Sequence, residues 1–277
     1  MTEQSLTGKV AIVTGGAGRI GSALVEALCN SGADVVIVDI DRERIARLGK
    51  RLSETGHEAR ILPAELDVSD PDACEEAIGR TRERFGPPDI LINNAAVGMG
   101  AIRLDPMTEL VAIHEITPAH WQRFIGVNLS GAFYMTRAAM PDMLEHGWGR
   151  IVNVTTSFYT MLRAGFAPYG PAKAGLEAMS AAHAEEFKET GVTVNVVVPG
   201  GPKDTPMVPP EASFERSELI PPRAMAAPIL WLCSEEADVV TGKRYVAARW
   251  DPTLGPEQAA ARAGAPIGWS ELSGTVV

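Results

Sequence analysis

Cysteine is scarce in this chain of 277 residues: the three, Cys29, Cys74 and Cys233, lie far apart in apolar or helical surroundings. They form no C-x-x-C pair and no Cys/His cluster, so no metal site is indicated and they read as reduced, buried thiols. Positive charge is also short. Lys and Arg number 25 against 35 Asp and Glu, a net charge of −10. Nucleic acid and anionic membranes both select a basic footprint, so neither is an expected partner. No hydrophobic run approaches the length of a membrane helix. The opening Met1-Thr2-Glu3-Gln4-Ser5 is polar and acidic, without the features of a signal peptide. A cytoplasmic location is therefore expected. Repeats and low-complexity linkers are missing as well, so nothing divides the chain into several domains.

What is present is an ordinary globular balance, 45% apolar and 22% charged, in a chain long enough for one large α/β domain. Short β-branched runs alternate with longer amphipathic stretches. Strands are expected at Val10–Val13, Asp34–Val38, Ala59–Glu65, Ile90–Asn93, Ile151–Thr155, Thr193–Val198 and Arg244–Ala247. Helices are expected at Ile20–Ser31, Asp41–Thr55, Pro71–Phe85, Pro118–His146, Tyr169–Thr190 and Ala224–Leu232. Strands that are apolar throughout and separated by helices predict a parallel sheet covered on both faces. This is a single-domain, Rossmann-like, doubly wound α/β fold. It is expected over residues 1–250, with 251–277 as a C-terminal tail of no strong period. The Pro/Gly-rich stretch Pro199–Pro222 reads as a long loop of the kind that serves function.

Between the first strand and the first helix runs TGGAGRIG, Thr14 to Gly21. Its glycines fit G-x-G-x-x-G as Gly16, Gly18 and Gly21, and G-x-x-G-x-x-G as Gly15, Gly18 and Gly21. Glycines there let the backbone approach a pyrophosphate, and the helix N-terminus offers N–H donors and a positive dipole end. Gly15, Gly18, Arg19, Ile20 and Gly21 are the candidate contacts. The second strand ends VVIVDID, placing Asp39 18 residues after Gly21. A carboxylate there accepts hydrogen bonds from a ribose and repels a 2′-phosphate, so NAD is the expected cofactor. Arg19 and Arg42 weigh against it, and Asp41 reads equally as a helix cap.

In PYGPAK, Lys173 follows Tyr169 by four residues, so in a helical turn both share one face. A neighbouring ammonium favours the phenolate, which makes Tyr169 a candidate general acid/base. These pieces occur in order with Asp67-Val68, Asn93-Asn94-Ala95-Ala96, Val127-Asn128-Leu129, Ile151 to Ser157 and Pro199-Gly200. The ordered set closely resembles the short-chain dehydrogenase/reductase family over about residues 7–246. The resemblance implies Tyr169 as acid/base and Lys173 as the lysine that lowers its pKa and holds the nicotinamide ribose. It implies Asn128 in a proton relay, Asp67 and Val68 at the adenine, and Asn93, Asn94, Ala95 and Ala96 beside the cofactor. Ala96 stands where the family has glycine. Pro199, Gly200 and Thr205 match the loop at the nicotinamide carboxamide, although one residue more than usual separates Gly200 from Thr205. Asn153 and Thr155 read as ordinary strand packing.

The catalytic hydroxyl is open between two residues. Thr156 lies at the family's usual separation of thirteen from Tyr169, whereas Ser157 has the usual residue type and is preferred. The segment 97–117 is longer than the family norm and reads as an added pocket wall or a subunit contact. His114 and His120 read as surface residues. Arg249-Trp250-Asp251-Pro252 replaces the family's D-G-G, and Trp250 and Trp269 suggest a tail that closes over a pocket or packs on a neighbouring subunit. The resemblance implies an NAD(H)-dependent oxidoreductase that interconverts a secondary alcohol and a ketone by hydride transfer, on a small-molecule substrate. An NAD-using epimerase or dehydratase without net redox, and a non-catalytic cofactor-sensing protein, are the alternatives. Relatives pair their two long helices, so a homodimer or homotetramer is expected through positions such as Phe133, Met140, Leu176, Met179 and Phe187.

Overall fold

The computed structural model describes residues 5–104, 106, 108–201 and 221–269. Thr205 and most of the expected Pro199–Pro222 loop lie outside the described residues. Among these residues the strands are β1 (Val10–Thr14), β2 (Asp34–Asp39), β3 (Ile61–Glu65), β4 (Ile90–Asn93), β5 (Gly149–Val154), β6 (Val192–Val198), β7 (Lys243–Val246) and β8 (Gly264–Pro266). They form one sheet in the order β3-β2-β1-β4-β5-β6-β7-β8. All neighbours pair in parallel except β8, which runs antiparallel to β7. The α-helices are α1 (Arg19–Asn30), α2 (Arg42–Glu54), α3 (Pro71–Phe85), α4 (Pro118–Ile125), α5 (Gly131–His146), α6 (Phe158–Leu162), α7 (Tyr169–Glu186), α8 (Ala226–Leu232) and α9 (Pro256–Ala263). The chain is thus the α/β fold that its alternation of strands and helices requires.

Successive strand residues face opposite ways, and both sides of this sheet are covered. Ala11, Val13, Val35 and Ile37 pack on Leu24, Leu28, Ile45, Leu48 and Ile229 of α1, α2 and α8. Ile12 and Val36 pack on Ile78, Met135 and Met143 of α3 and α5. Each fully buried aliphatic side chain contributes about 1.5–3 kcal/mol, so the β-branched runs that betray the strands also hold the layers together. Helix starts are cut by side chains. Asp41 caps α2 by accepting from the Arg44 N–H at 3.0 Å. Asp70 caps α3 with Pro71 just inside it, where a missing N–H does no harm.

The elements depart from the sequence expectations in several places, among them the unexpected α6 and the end of α7 at Glu186. The long helical region from Pro118 is two helices joined by a π-helical segment, Gly126–Ser130, which absorbs one extra residue per turn around Asn128. The third strand begins at Ile61, after a 3-10 turn over Glu58–Arg60. The segment read as a tail supplies α9 and β8, and Arg244 of β7 pairs with Ala265. Its pattern is invisible as a strand because Gly264–Pro266 is too short and too weakly β-forming to stand out. No helix among the described residues is long and apolar enough to cross a membrane.

Candidate active site

The strand order reverses between β1 and β4, and the crevice outside their C-terminal ends is where an open parallel sheet binds ligands. β1 runs out at Thr14 into Gly15, whose φ of 60° is left-handed. A Cβ on Gly21 would stand 2.0 Å from the Gly15 carbonyl oxygen, so α1 can pack on the turn only without a side chain there. Gly18 is the N-cap of α1, which has no acidic residue in its first turn to compensate the dipole. Gly15, Gly18 and Gly21 therefore each have a distinct task, while Gly16 donates its N–H to Val38 at 2.9 Å and is itself crowded by Val13. The bare backbone and open helix end form a cradle that fits a dinucleotide pyrophosphate.

Asp39 ends β2 and faces this turn. Its Oδ2 accepts from the Ala17 N–H at 3.0 Å and its Oδ1 from the Asp41 N–H at 3.1 Å. Arg19 is the exposed first residue of α1. Arg42 is 86% exposed and stands 3.8 Å from Glu65. Asp67 closes a turn by accepting from the Ser69 N–H at 2.9 Å and the Ser69 hydroxyl at 2.7 Å. Val68 is buried against α5.

The end of β4 is strapped to β1 by Thr14, which the sequence did not single out. Its hydroxyl accepts from the Asn94 and Ala95 N–H groups, both at 3.0 Å. The Asn94 amide donates to the Thr14 and Gly15 carbonyls at 2.9 and 3.1 Å. Asn93 points the other way, into the core. It donates to Asn153 at 2.8 Å, and Asn153 donates to Ser180 at 2.8 Å. Asn93 and Asn153 thus tie β4, β5 and α7 together, while Asn94 and Ala96 line the cavity.

That cavity holds about 790 Å³ and contains Tyr169, Lys173, Thr156 and Ser157 in its wall. Tyr169 and Lys173 occupy the first turns of α7. Lys173 is buried, its Nζ donating to the Val154 carbonyl at 2.8 Å, and burial pulls its pKa down to about 8. Burial pushes the Tyr169 hydroxyl up to about 12, against the opposing effect of a hydrogen bond from Thr156. The lowering by Lys173 expected from the sequence is not among the causes acting on Tyr169. The low-polarity surroundings disfavour the charge of both groups, and one N–H of Lys173 is committed to the Val154 carbonyl.

The two candidate hydroxyls have different partners. Thr156 meets Tyr169. Ser157 caps α6, accepting from the Thr160 N–H at 3.1 Å and lying 2.8 Å from the Thr160 hydroxyl. β5 ends at Val154, beyond it the chain turns into α6, and both Thr156 and Ser157 line the cavity. Asn128 sits buried in the π segment, its side chain accepting from the Val97 N–H at 2.7 Å and donating to the Val97 carbonyl at 2.9 Å. It holds the chain leaving β4 against α5.

The longer segment 97–117 packs Met99 and Val111 with Phe124 and Phe166, Tyr169 lying against them. Met99 and Phe166 line the cavity, so the segment is a pocket wall. His114 is exposed, and His120 takes part in capping α4, its Nδ1 accepting from the Thr117 N–H at 3.4 Å. Pro199 and Gly200 line the cavity, with the Ala248 N–H donating to Pro199 at 3.1 Å. Trp250 packs into the core against Trp231, whereas Trp269 lies on Phe158. Of the apolar helix positions, Met140, Leu176 and Phe187 are buried within the chain and Phe133 is 42% exposed.

The chain matches the family model described as short chain dehydrogenase over residues 9–216. It is 33% identical over 246 residues to a 2,5-dichloro-2,5-cyclohexadiene-1,4-diol dehydrogenase of Sphingobium indicum, covering 86% of this chain and 93% of that one. It is 33% identical over 243 residues to an acetoacetyl-CoA reductase of Rhizobium meliloti, covering 84% and 94%. A solved structure of a short-chain dehydrogenase/reductase from Brucella melitensis, titled a glucose/ribitol dehydrogenase, superposes with a TM-score of 0.71 at 27% identity, covering 88% and 95%.

Proposed function

We propose, from the premise that this chain belongs to the short chain dehydrogenase family and is an oxidoreductase of it, that it interconverts a secondary alcohol and a ketone with NAD. The observation that carries the reading is the meeting of Tyr169, Lys173 and Thr156 in the wall of one cavity at the strand C-terminal ends. The family uses a nicotinamide dinucleotide, and the glycine cradle fits its pyrophosphate. When bound, that cofactor supplies the acceptor or donor for a hydride at the substrate carbon.

The chain's own residues do the rest. Gly15, Gly18 and the open end of α1 would hold the pyrophosphate, and Asp39 would accept from the adenosine ribose. Its carboxylate disfavours a 2′-phosphate, which supports NAD. Thr156 holds the substrate oxygen beside Tyr169. With a pKa of about 12 Tyr169 is protonated, so in ketone reduction it gives its proton to that oxygen. In alcohol oxidation it takes the proton back, and Thr156, which opposes the push of burial on Tyr169, stabilises the phenolate it starts from. Lys173, its pKa pulled down to about 8 by burial, is mostly protonated at neutral pH. The substrate is small, since about 790 Å³ must also admit the nicotinamide end of the cofactor. Phe133 on α5 and Trp121 on α4, both over 40% exposed, support pairing of these helices in a homodimer or homotetramer.

The test is turnover of a panel of secondary alcohols and ketones, followed by nicotinamide absorbance with NAD and NADP side by side. Tyr169→Phe removes the transferable proton without changing the ring's packing, so turnover falls by about 10²-fold or more while cofactor binding persists. Near-normal turnover in Tyr169→Phe refutes the assignment. Substrate conversion with no net change in nicotinamide absorbance points instead to an epimerase or dehydratase.

A further inference from the structure

Behind the catalytic hydroxyl lies an ion pair that the reaction does not use. Arg244 of β7 and Glu177 of α7 are 7% and 0% exposed, with Arg244 Nη1 donating to Glu177 Oε2 at 3.0 Å. The same Nη1 lies 3.2 Å from the Thr155 hydroxyl, which itself donates to Glu177 at 2.8 Å. Nη2 donates to the Thr156 carbonyl at 2.8 Å. The guanidinium lies 4.2 Å over the Phe158 ring, and Phe158 lies 5.3 Å from Trp269 between ring centres. The second oxygen of Glu177, Oε1, accepts from the Gly268 N–H at 3.3 Å. Two buried charges therefore hold the chain on either side of the cavity, whose wall includes Phe158, Arg244, Ala263, Gly264 and Ala265.

Burying such a pair gains little stability over apolar residues of the same volume, because desolvation offsets the attraction. What it does supply is geometry. A guanidinium is a planar fork that holds several acceptors at once, which a lysine ammonium on a flexible stem does not reproduce. Thr156 has no strand partner at its carbonyl, since β5 ends at Val154. Arg244 takes that place at the residue whose hydroxyl meets Tyr169.

We propose that Arg244 is the positioning residue of this site, holding Thr156 against Tyr169, and that through Glu177 and Phe158 it anchors segment 263–269 as a specificity-determining wall of the substrate cavity. This rests on the reading of Tyr169 and Thr156 as the reacting pair. Arg244 acts through Thr156 and touches neither the reacting atoms nor the cofactor cradle. The wall contributes small side chains, Ala263, Gly264 and Ala265, at the cavity face, which leaves room for substrate there.

The experiment is a double-mutant cycle on kcat together with hydrogen exchange on the same proteins. Arg244→Lys keeps the charge beside Glu177 and loses the fork. A misplacement of about 1 Å in a reacting group costs on the order of 10²-fold, so Arg244→Lys lowers kcat by about 10-fold to 100-fold with cofactor affinity retained. In a Thr156→Ala background the same change costs about twofold or less, because the residue being positioned has lost its hydroxyl. Costs that multiply across the two backgrounds overturn the proposal. Arg244→Lys also speeds amide exchange in peptides covering 155–158 and 264–269 and leaves α1 protected; unchanged protection in both peptides overturns it. Exchange needs no substrate, so a wild-type chain that turns over nothing sinks the catalytic reading and still decides the anchor. If Arg244→Lys fails to fold, Trp269→Ala loosens the wall alone and raises substrate KM by a larger factor than it lowers kcat. A KM unmoved by Trp269→Ala then refutes the proposal.

Discussion

Thr156 and Ser157 are adjacent hydroxyls in the cavity wall, and replacing each by alanine separates chemistry from capping. The Thr156 side chain adjoins Tyr169 and opposes the push of burial, which carries that phenol to about 12. A donor aimed at developing charge in such a site is worth about 10²–10³ in kcat. Thr156→Ala is therefore expected to lose about that factor, with little change in melting temperature. The Ser157 hydroxyl accepts the Thr160 N–H at 3.1 Å at the start of the five-residue α6. Losing an N-cap of this kind costs about 0.5–2 kcal/mol. In a chain of this size that is about 2–4 °C in Tm per kcal/mol. Because α6 carries Phe158, Tyr159 and Thr160 into the cavity wall, Ser157→Ala is expected to raise KM several-fold and to leave kcat within about threefold. Steady-state kinetics and thermal melts on the two variants, with cofactor titration as a folding control, provide the assay. A collapse of kcat in Ser157→Ala with near-normal kcat in Thr156→Ala refutes the reasoning, since it makes the capping hydroxyl the catalytic one.

Two further outcomes follow from packing and titration. Gly21→Ala places a Cβ 2.0 Å from the Gly15 carbonyl, so the α1 packing must shift; a loss of about 1–3 kcal/mol and weakened cofactor binding are expected by melt and titration. Gly18→Ala meets the same oxygen at 3.2 Å and is expected to be milder; equal effects in the two variants contradict the cradle geometry. Stability should also turn over with pH. Lys173 has its pKa lowered from 10.5 to about 8, so between those values the unfolded chain binds the extra proton and stability rises with pH, by about 1.4 kcal/mol per pH unit at most. The thiols of Cys29, Cys74 and Cys233 have theirs raised from 9.0 to about 12, so above 9 the folded chain holds the extra protons and stability falls. Three thiols outweigh one amine, and a maximum near pH 9 is expected in chemical denaturation, its rising limb absent in Lys173→Met. A rising limb that survives in Lys173→Met assigns it to another group.

The sequence by itself determined the alternation of strands and helices, the glycine turn and the Tyr169–Lys173 face, because each is written in residues a few positions apart. Turn chemistry, the period of two against 3.6, and a four-residue helical spacing are local physics. The ordered downstream motifs then placed the chain in its family. Other features depend on contacts between distant residues. Glu177 and Arg244 are 67 positions apart and meet only because β7 lies beside β6 next to α7. Thr14 reads as a strand end until β4 arrives beside it with Asn94 and Ala95, 80 and 81 positions later. Asn93 and Asn94 look alike in the chain, yet the strand's alternation sends one into the core and the other to the cavity. Thr156 and Ser157 differ by where β5 stops and α6 begins; the Ser157 cap is a local contact three residues long, whereas the hold of Arg244 on the Thr156 carbonyl comes from 88 positions away. Segment 263–269 has too little local propensity to announce a strand, and it acquires one from the free edge of β7 and a carboxylate buried beneath it.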